Sequence, residues 1–145
     1  MKKGLPTVIE AANSPELKRA LEQHLQETRN HVTRLERVFS AVANEAKTKG
    51  NDIFDEMSSA VKDTISHIES SPLRDAALIV NGNQVEHYEM AIYGTLVAFA
   101  QQLGLRDPVA SFQQTLDEEK AADAKLTQLS ETVINPSAMQ QRRAA

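Results

Sequence analysis

Residues 71–108 read SPLRDAALIVNGNQVEHYEMAIYGTLVAFAQQLGLRDP and contain the beginning and the end of one long helix. Ser71 followed by Pro72 is typical of a helix N-cap and first helical position, where the missing N–H of proline costs no helical hydrogen bond. Gly104 supplies the left-handed residue of a Schellman ending. Asp107-Pro108 then repeats the cap-and-proline signal. The stretch predicts an antiparallel helical hairpin with helices over 72–103 and 108–132.

The same signals extend the prediction toward both ends of the chain. Ser14-Pro15 begins a helix that we expect to run over about 15–45 and to be closed by Gly50. Apolar residues at helical spacing predict another helix over 52–69, whose polar outer face suits a crossover that covers the bundle. Residues 5–12 allow two helical turns. The tail over 133–145 is expected to be disordered.

Together these elements predict an all-α, ferritin-like antiparallel helical bundle with a crossover helix, in one domain over 1–145 with its core at about 5–132. The chain is 41% apolar and 25% charged, which is enough apolar surface for a packed core. It has no cysteine, which excludes disulfides, thiolate zinc sites and thiol nucleophiles. A net charge of −4 argues against nucleic acid as a partner, and no run of apolar residues suits a membrane span or a signal peptide. We expect a cytoplasmic protein.

Carboxylates interrupt the apolar stripes of the two hairpin helices. In the helix over 108–132, the stripe at steps of three and four residues passes through Glu119 and Asp123. In the helix over 72–103 it passes through Glu89, and Glu86 lies about 60° away around the helix. Distances from the turn place Asp123 level with Glu89, and Glu119 within about a turn of Glu86. The adjacent Glu118 is expected on a solvated face.

Two histidines occupy the corresponding stripe of the first long helix. His24 and His31 lie on this stripe, and Glu27 flanks it one turn from each. Because unpaired buried ionisable groups are costly, their presence at the centres of three stripes needs a common explanation. One is a di-iron or di-manganese centre, which helical bundles build from Glu and His on facing helices. The other is a hydrogen-bonded polar layer that fixes helix register without metal.

Several stretches of the chain resemble the YciE/YciF family of ferritin-like proteins. They are residues 14–17, 22–28, 34–36, 74–78, 85–96 and 115–123, which follow one another in order within roughly residues 5–130. The resemblance implies a bacterial, cytoplasmic, stress-associated protein with a ferritin- or rubrerythrin-like bundle, a dinuclear site and a tendency to dimerise. It also implies the site residues by position: His24, Glu27, Glu86, Glu89, Glu119 and Asp123.

The chain departs from the family pattern at two places. His31 stands where relatives usually have glutamine. Relatives also have a long first helix ahead of the Leu-Pro that is matched here by Leu5-Pro6, so we expect a shortened first helix and a site without the glutamate of that helix. An open groove beside three apolar stripes would be an aggregation hazard in a monomer, and we therefore expect a homodimer.

Two functional hypotheses follow. The first is a metal-binding stress protein, in which Glu89 and Glu119 bridge two ions, Glu27, Glu86 and Asp123 are terminal ligands, and His24 is the nitrogen ligand. The second is a non-catalytic dimerisation or adaptor protein whose buried polar groups form a structural layer. No organic cofactor is expected, since the sequence has no Gly-rich phosphate loop, no Gly-x-Ser-x-Gly and no His-Glu-x-x-His.

Overall fold

The structure, a computed structural model, describes residues 4–42 and 45–144. Its regular elements are α1 (Leu5–Ala11), α2 (Pro15–Ala41), α3 (Asp52–His67), α4 (Pro72–Gln102), α5 (Arg106–Leu129) and α6 (Asn135–Ala144). The predicted all-α class is confirmed, because these ranges contain helices and no strand. No helix within them is long and apolar enough to cross a membrane.

The predicted hairpin is formed by α4 and α5. Gly104 has a φ of +68°, its N–H donates to the carbonyl of Gln101, and the N–H of Leu105 donates to the carbonyl of Ala100. These two bonds are the Schellman pattern. Asp107, however, is not the N-cap of α5, which begins at Arg106. The Schellman turn already redirects the chain at Leu105, so Asp107 lies in the first turn, where its charge still favours the helix dipole.

The turn between α1 and α2 is tied to the beginning of α4. The Ser14 hydroxyl accepts from two amides of the first turn of α2, which confirms this predicted N-cap. Asp75 is fully buried, and its carboxylate accepts from the backbone N–H of Asn13 at 2.6 Å and of Ser14 at 2.7 Å. Charge-assisted bonds of this kind are among the stronger ones in proteins. The α1–α2 corner is therefore fixed against α4.

The first long helix is shorter than predicted. It ends at Ala41 instead of about residue 45, and Gly50 lies in an irregular segment well beyond its end. Residues 43 and 44, within the predicted last turn, lie outside the described residues. Positions 45–51 are all exposed and have no apolar side chain large enough to hold another turn against the bundle. Helix α2 therefore ends where its packing ends.

Helix α3 lies on the outside of the bundle, against α4. Val61 and Ile65 pack on the core, and Asn81 donates to the Thr64 hydroxyl at 2.8 Å. Ile53, predicted on the inner stripe of this helix, is 58% exposed. The helix thus covers one side of the bundle with its second half, as expected for the crossover.

The C-terminal segment, expected to be a disordered tail, is helical. The chain continues from α5 through a π-helical turn, Ser130–Ile134, into α6. Ile134 is buried in the core with Leu129, which anchors the turn. Pro136 lies directly after the π-helical turn, where the helical hydrogen-bond pattern is already interrupted. The expected disorder of this segment is therefore wrong.

The core consists of two apolar clusters separated by a polar layer. One cluster joins α1 to the beginnings of α2 and α4 and the end of α5. The other surrounds Tyr93, Val97, Phe112 and Leu116 near the hairpin turn. The buried polar residues of this layer are His24, Thr28, His31, Glu86, Thr115 and Glu119.

Candidate metal centre

Three side chains from three helices meet in the polar layer. His24 Nε2 of α2 lies 3.3 Å from Glu86 Oε1 of α4 and 4.0 Å from Glu119 Oε2 of α5. One ligand atom from each of the three lies within 4.8 Å of the others, and all three residues are buried. An imidazole nitrogen with carboxylate oxygens is a donor set that suits first-row transition metals. The cluster could therefore bind a metal ion.

The polar atoms of this cluster make few well-aligned hydrogen bonds within the described residues. Both ring nitrogens of His24, Oε2 of Glu86 and both oxygens of Glu119 are buried without an aligned hydrogen bond to any described group. Native proteins leave few buried polar atoms unsatisfied, and each one costs on the order of 1–3 kcal/mol. An ion bound among these atoms would satisfy them together, so the residues present fit a metal.

The remaining predicted site residues surround this cluster at different distances. Glu27 Oε2 lies 3.6 Å from His24 Nδ1, on a half-buried side chain that also accepts from Gln23. Glu89 is half-buried, with a buried Oε2 that has no described hydrogen-bond partner. Asp123 has a buried Oδ1 without an aligned hydrogen bond, which lies 3.2 Å from the ring Nδ1 of the exposed His87. The structure thus brings the ligand atoms of His24, Glu86 and Glu119 together, with Glu27, Glu89 and Asp123 around them.

Sequence reasoning missed a second set of charges on the other side of Glu119. Arg34 donates to both oxygens of Glu118 at 2.7 Å. Glu118 in turn accepts from His31 Nε2 at 2.8 Å, and His31 Nδ1 lies 3.0 Å from Glu119 Oε1, without aligned hydrogen-bond geometry. Glu118 is therefore not a solvated residue but the link between α2 and α5. Its partners Arg34 and His31, one turn apart on α2, are the signal that could have identified it.

Aromatic packing encloses this second set. The ring of Tyr93 lies edge-on to His31, with ring centroids 6.3 Å apart, and is tilted against Phe112 at 6.4 Å. Burial, with the charges of Glu89 and Glu119, raises the pKa of Tyr93, so its hydroxyl stays protonated. The rings shield His31 from water and strengthen its electrostatic contacts.

The electrostatics of the layer differ between its two sides. Burial and the neighbouring carboxylates, Glu119 first, raise the pKa of Glu86 to about 10. Burial and Glu119 also raise the pKa of Glu89 to about 7. Burial lowers the pKa of His24, since Glu119 and Glu27 compensate it only in part. Around His24, the protein without metal therefore holds a neutral imidazole and a protonated carboxyl at neutral pH.

On the other side, the ion pairs outweigh burial. Burial alone would lower the pKa of His31, but contacts with Glu119 and Glu118 raise it. Burial would raise the pKa of Glu118, but hydrogen bonds from Arg34 and His31 hold it below its usual value. Glu119 behaves in the same way through His31. On this side, Arg34 and His31 contact Glu118 and Glu119, and Glu119 therefore belongs to both sides of the layer.

The fold and the site define an all-α bundle with a buried histidine–carboxylate cluster between three of its helices, the arrangement on which ferritin-like proteins build metal centres. Residues 1–139 match the family described as Domain of unknown function (DUF892), and the chain belongs to that family. The resemblance to the YciE/YciF family is thereby confirmed.

Individual relatives agree with this assignment. Protein YciF of Escherichia coli (strain K12) is 35% identical over 137 residues, which are 94% of this chain and 82% of YciF. The crystal structure of the E. coli stress protein YciF matches with a TM-score of 0.86 and 34% identity, covering 92% of this chain and 85% of that one. YcfI from Rhodopseudomonas palustris matches with a TM-score of 0.84 and 37% identity, covering 87% and 80% of the two chains.

Proposed function

We propose that this protein is a ferritin-like metal-binding protein that holds iron or manganese in the polar layer of its bundle. The observation that carries the proposal is the convergence of His24, Glu86 and Glu119, whose buried ligand atoms lie within 4.8 Å of one another and lack aligned hydrogen bonds to described groups. A purely structural layer would leave both ring nitrogens of His24 buried without an aligned hydrogen bond, at a cost in stability.

Glu119 is the residue best suited to serve two ions. Both of its oxygens lack an aligned hydrogen bond within the described chain, and its charge acts on the pKa of both Glu86 and Glu89. His24, Glu86 and Glu119 would hold the metal, and Glu27, Glu89 and Asp123 are the further carboxylates around them that could complete a dinuclear set. Bound iron or manganese would supply redox chemistry toward dioxygen or peroxide.

The chain's own residues prepare the site for that role. Arg34 and Glu118 orient the His31 ring, which lies 3.0 Å from Glu119. Glu86 holds a proton that an incoming cation displaces, so the charge gained from the metal is offset by the proton released. The two apolar clusters flank the layer along the helices.

We further propose a cytoplasmic, stress-associated homodimer. The similarity to the E. coli stress protein YciF supports the stress association. Support for dimerisation comes from apolar side chains near the end of α4: Phe99 is 61% exposed, Leu103 is 72% exposed and Ile92 is 44% exposed. Adjacent exposed apolar groups of this size are typical of association surfaces.

Elemental analysis tests the metal proposal directly. Protein purified from iron- and manganese-supplemented medium is compared with Glu119→Gln and Glu86→Gln, which keep side-chain volume but remove the ligand charge. Asp117→Asn, on the exposed face of α5, is the matched control. We expect about two ions per chain in the wild type and the control, and a clear loss in both site variants.

Thermal unfolding with added metal or chelator provides a second measurement. A ligand present at 100 times its Kd stabilises the folded state by about 2.7 kcal/mol, so iron or manganese should raise the Tm of the wild type and not that of Glu119→Gln. Negligible metal in all four proteins together with a Tm that ignores metal would contradict the proposal.

A second candidate function is favoured by the compensated side of the layer. The Arg34–Glu118–His31 set joins α2 to α5 through hydrogen bonds of 2.7–2.8 Å without any ion. In this case the layer fixes helix register in a non-catalytic dimerisation or adaptor protein. The same two measurements separate the candidates, because only the metal-binding protein responds to iron or manganese.

A further inference from the structure

A cavity of about 630 Å³ opens beside His24 and Glu86. Helices α1 to α5 all contribute to its walls, which are mainly apolar and include Leu21, Phe54, Val61, Ile65, Val85 and Leu126. Protein interiors are normally packed to crystal-like density, with few voids larger than a water molecule. Cavities of about 300–1,000 Å³ with apolar walls and a few polar groups are instead characteristic of small-molecule sites.

Small residues in the surrounding helices leave the space open. Ala20 of α2 and Ala122 of α5 line the cavity with side chains of one carbon. At Gly82 of α4, a Cβ atom would lie 2.9 Å from Cδ1 of Leu126, so a larger residue would displace the Leu126 side chain, which also lines the cavity. The empty volume therefore depends in part on these side chains being small.

The polar residues of the cavity are distributed unevenly. Its wall contains His24, Glu86 and Glu27. His24 and Glu86 are buried, and each has a nitrogen or oxygen atom without an aligned hydrogen bond to a described group. Lys62 of α3 and Lys125 of α5 are exposed residues that also line the cavity and therefore lie at its mouth. Among the described residues, neither lysine has a carboxylate within 4.0 Å.

We propose that this cavity binds a small amphipathic carboxylate of the fatty-acid class, with its apolar chain between the helices and its anionic group at Lys62 and Lys125. Charge decides the orientation, since Lys62 and Lys125 at the mouth are the cationic side chains of the lining, whereas the wall beside His24 carries the acidic Glu27 and no lysine or arginine. The proposal goes beyond the metal centre, because the cavity walls alone provide the binding surface.

Calorimetric titration of metal-depleted full-length protein tests the proposal. Decanoate is the probe, and decanol and decylamine are comparators with the same chain but a neutral or cationic head. We expect saturable binding of decanoate at one site per chain, about tenfold tighter than that of decanol and tighter still than that of decylamine. Absent or non-saturable binding of decanoate, or equal affinity for decanoate and decanol, would overturn the proposal.

Variants locate the binding within the cavity. Ala122→Phe and Ser58→Phe fill it from α5 and α3, and Ala124→Phe places the same ring on the exposed face of α5 as the matched control. We expect at least tenfold weaker decanoate binding in the first two and less than a twofold change in the control. Circular dichroism verifies folding, and having two filling variants keeps the test valid if one fails to fold. Unchanged affinity in a folded filling variant would overturn the proposal.

The lysines are tested separately from the walls. Lys62→Gln combined with Lys125→Gln should weaken decanoate binding about tenfold and leave decanol binding unchanged. Equal effects on the two ligands would overturn the assignment of the anionic group to the mouth. Metal content measured on the wild-type preparation before metal removal reports on the proposed metal centre independently, so a failure of one proposal is distinguishable from a failure of the other.

Discussion

Replacing Glu86 by glutamine should stabilise the protein without metal while removing its capacity for metal. Glu86 is 3% exposed, and burial beside Glu119 raises its pKa to about 10 from the ordinary 4.5. The folded state therefore retains a proton that the unfolded state releases between these two pH values. Stability is unaffected by this group below pH 4.5 and decreases as the pH rises from 4.5 to about 10. Glutamine, which does not titrate, eliminates this loss.

The size of the effect follows from the shift. Each pH unit above the unfolded pKa costs about 1.36 kcal/mol, so at pH 7 the penalty from Glu86 is about 3 kcal/mol. For a chain of this length, 1 kcal/mol corresponds to roughly 2–4 °C in Tm. The new amide group makes contacts of its own, which change the stability at every pH. The pH dependence isolates the effect of the proton: the stability difference between variant and wild type should grow by about 3 kcal/mol between pH 6 and pH 8.

Urea unfolding of chelator-treated protein at pH 6, 7 and 8 measures this difference. Glu119→Gln is the contrasting variant, because contacts with His31 hold the pKa of Glu119 below its usual value despite burial. Removing that ionised group should destabilise the metal-free protein by about 1–3 kcal/mol at pH 7. Replacing glutamate by glutamine should thus raise the free energy of unfolding at Glu86 and lower it at Glu119. A stability difference for Glu86→Gln that stays constant from pH 6 to pH 8 would refute the reasoning.

Three further predictions follow from the same contacts. Metal must displace the proton of Glu86 and, near neutral pH, that of Glu89. The apparent affinity for manganese should therefore fall about 100-fold or more between pH 8 and pH 6 in equilibrium titrations. A pH-independent affinity would contradict proton displacement. Asp75→Asn leaves one of two buried amides without an acceptor, and urea unfolding should show a loss of about 1–3 kcal/mol; an unchanged midpoint would contradict this. Glu118→Gln should lower the pKa of His31 in an NMR titration of its ring protons, and an unaltered titration would mean that the contact is absent in solution.

Local chemistry accounts for the parts of the fold that the sequence predicted correctly. Ser14, Ser71 and Gly104 are recognisable because a cap depends on residues within one turn of it. The C-terminal errors have another cause. Pro136 permits both a chain end and a helix start, and the choice is made by Ile134, which finds a place in the core that no local pattern reveals. Helix α2 similarly ends at Ala41, because the exposed positions 45–51 offer no large apolar side chain to pack on the bundle.

The candidate site shows the same division. Periodicity placed His24 and Glu119 on the core-facing stripes, and both are buried. It placed Glu89 on the stripe and Glu86 about 60° away, whereas the structure buries Glu86 more deeply than Glu89. Glu118 lies one residue off the stripe, and its burial depends on how α2 is rotated against α5 and on the reach of the Arg34 side chain. The cavity depends on the spacing between whole helices. Relations of this kind are tertiary and have no periodic signature in the sequence.

The contrast between the two sides of the polar layer indicates which side is functional. Around His31, every charge has an opposite charge in contact, so this side holds α2 and α5 in register. Around His24, the protein buries an imidazole whose two nitrogens lack aligned hydrogen bonds to described groups, together with the Glu86 carboxyl group, beside an open cavity. Glu119 belongs to both sides, since it also contacts His31 at 3.0 Å. Local departures from satisfied polar groups concentrate at functional sites. The unsatisfied atoms around His24 are therefore where we propose that a metal ion binds.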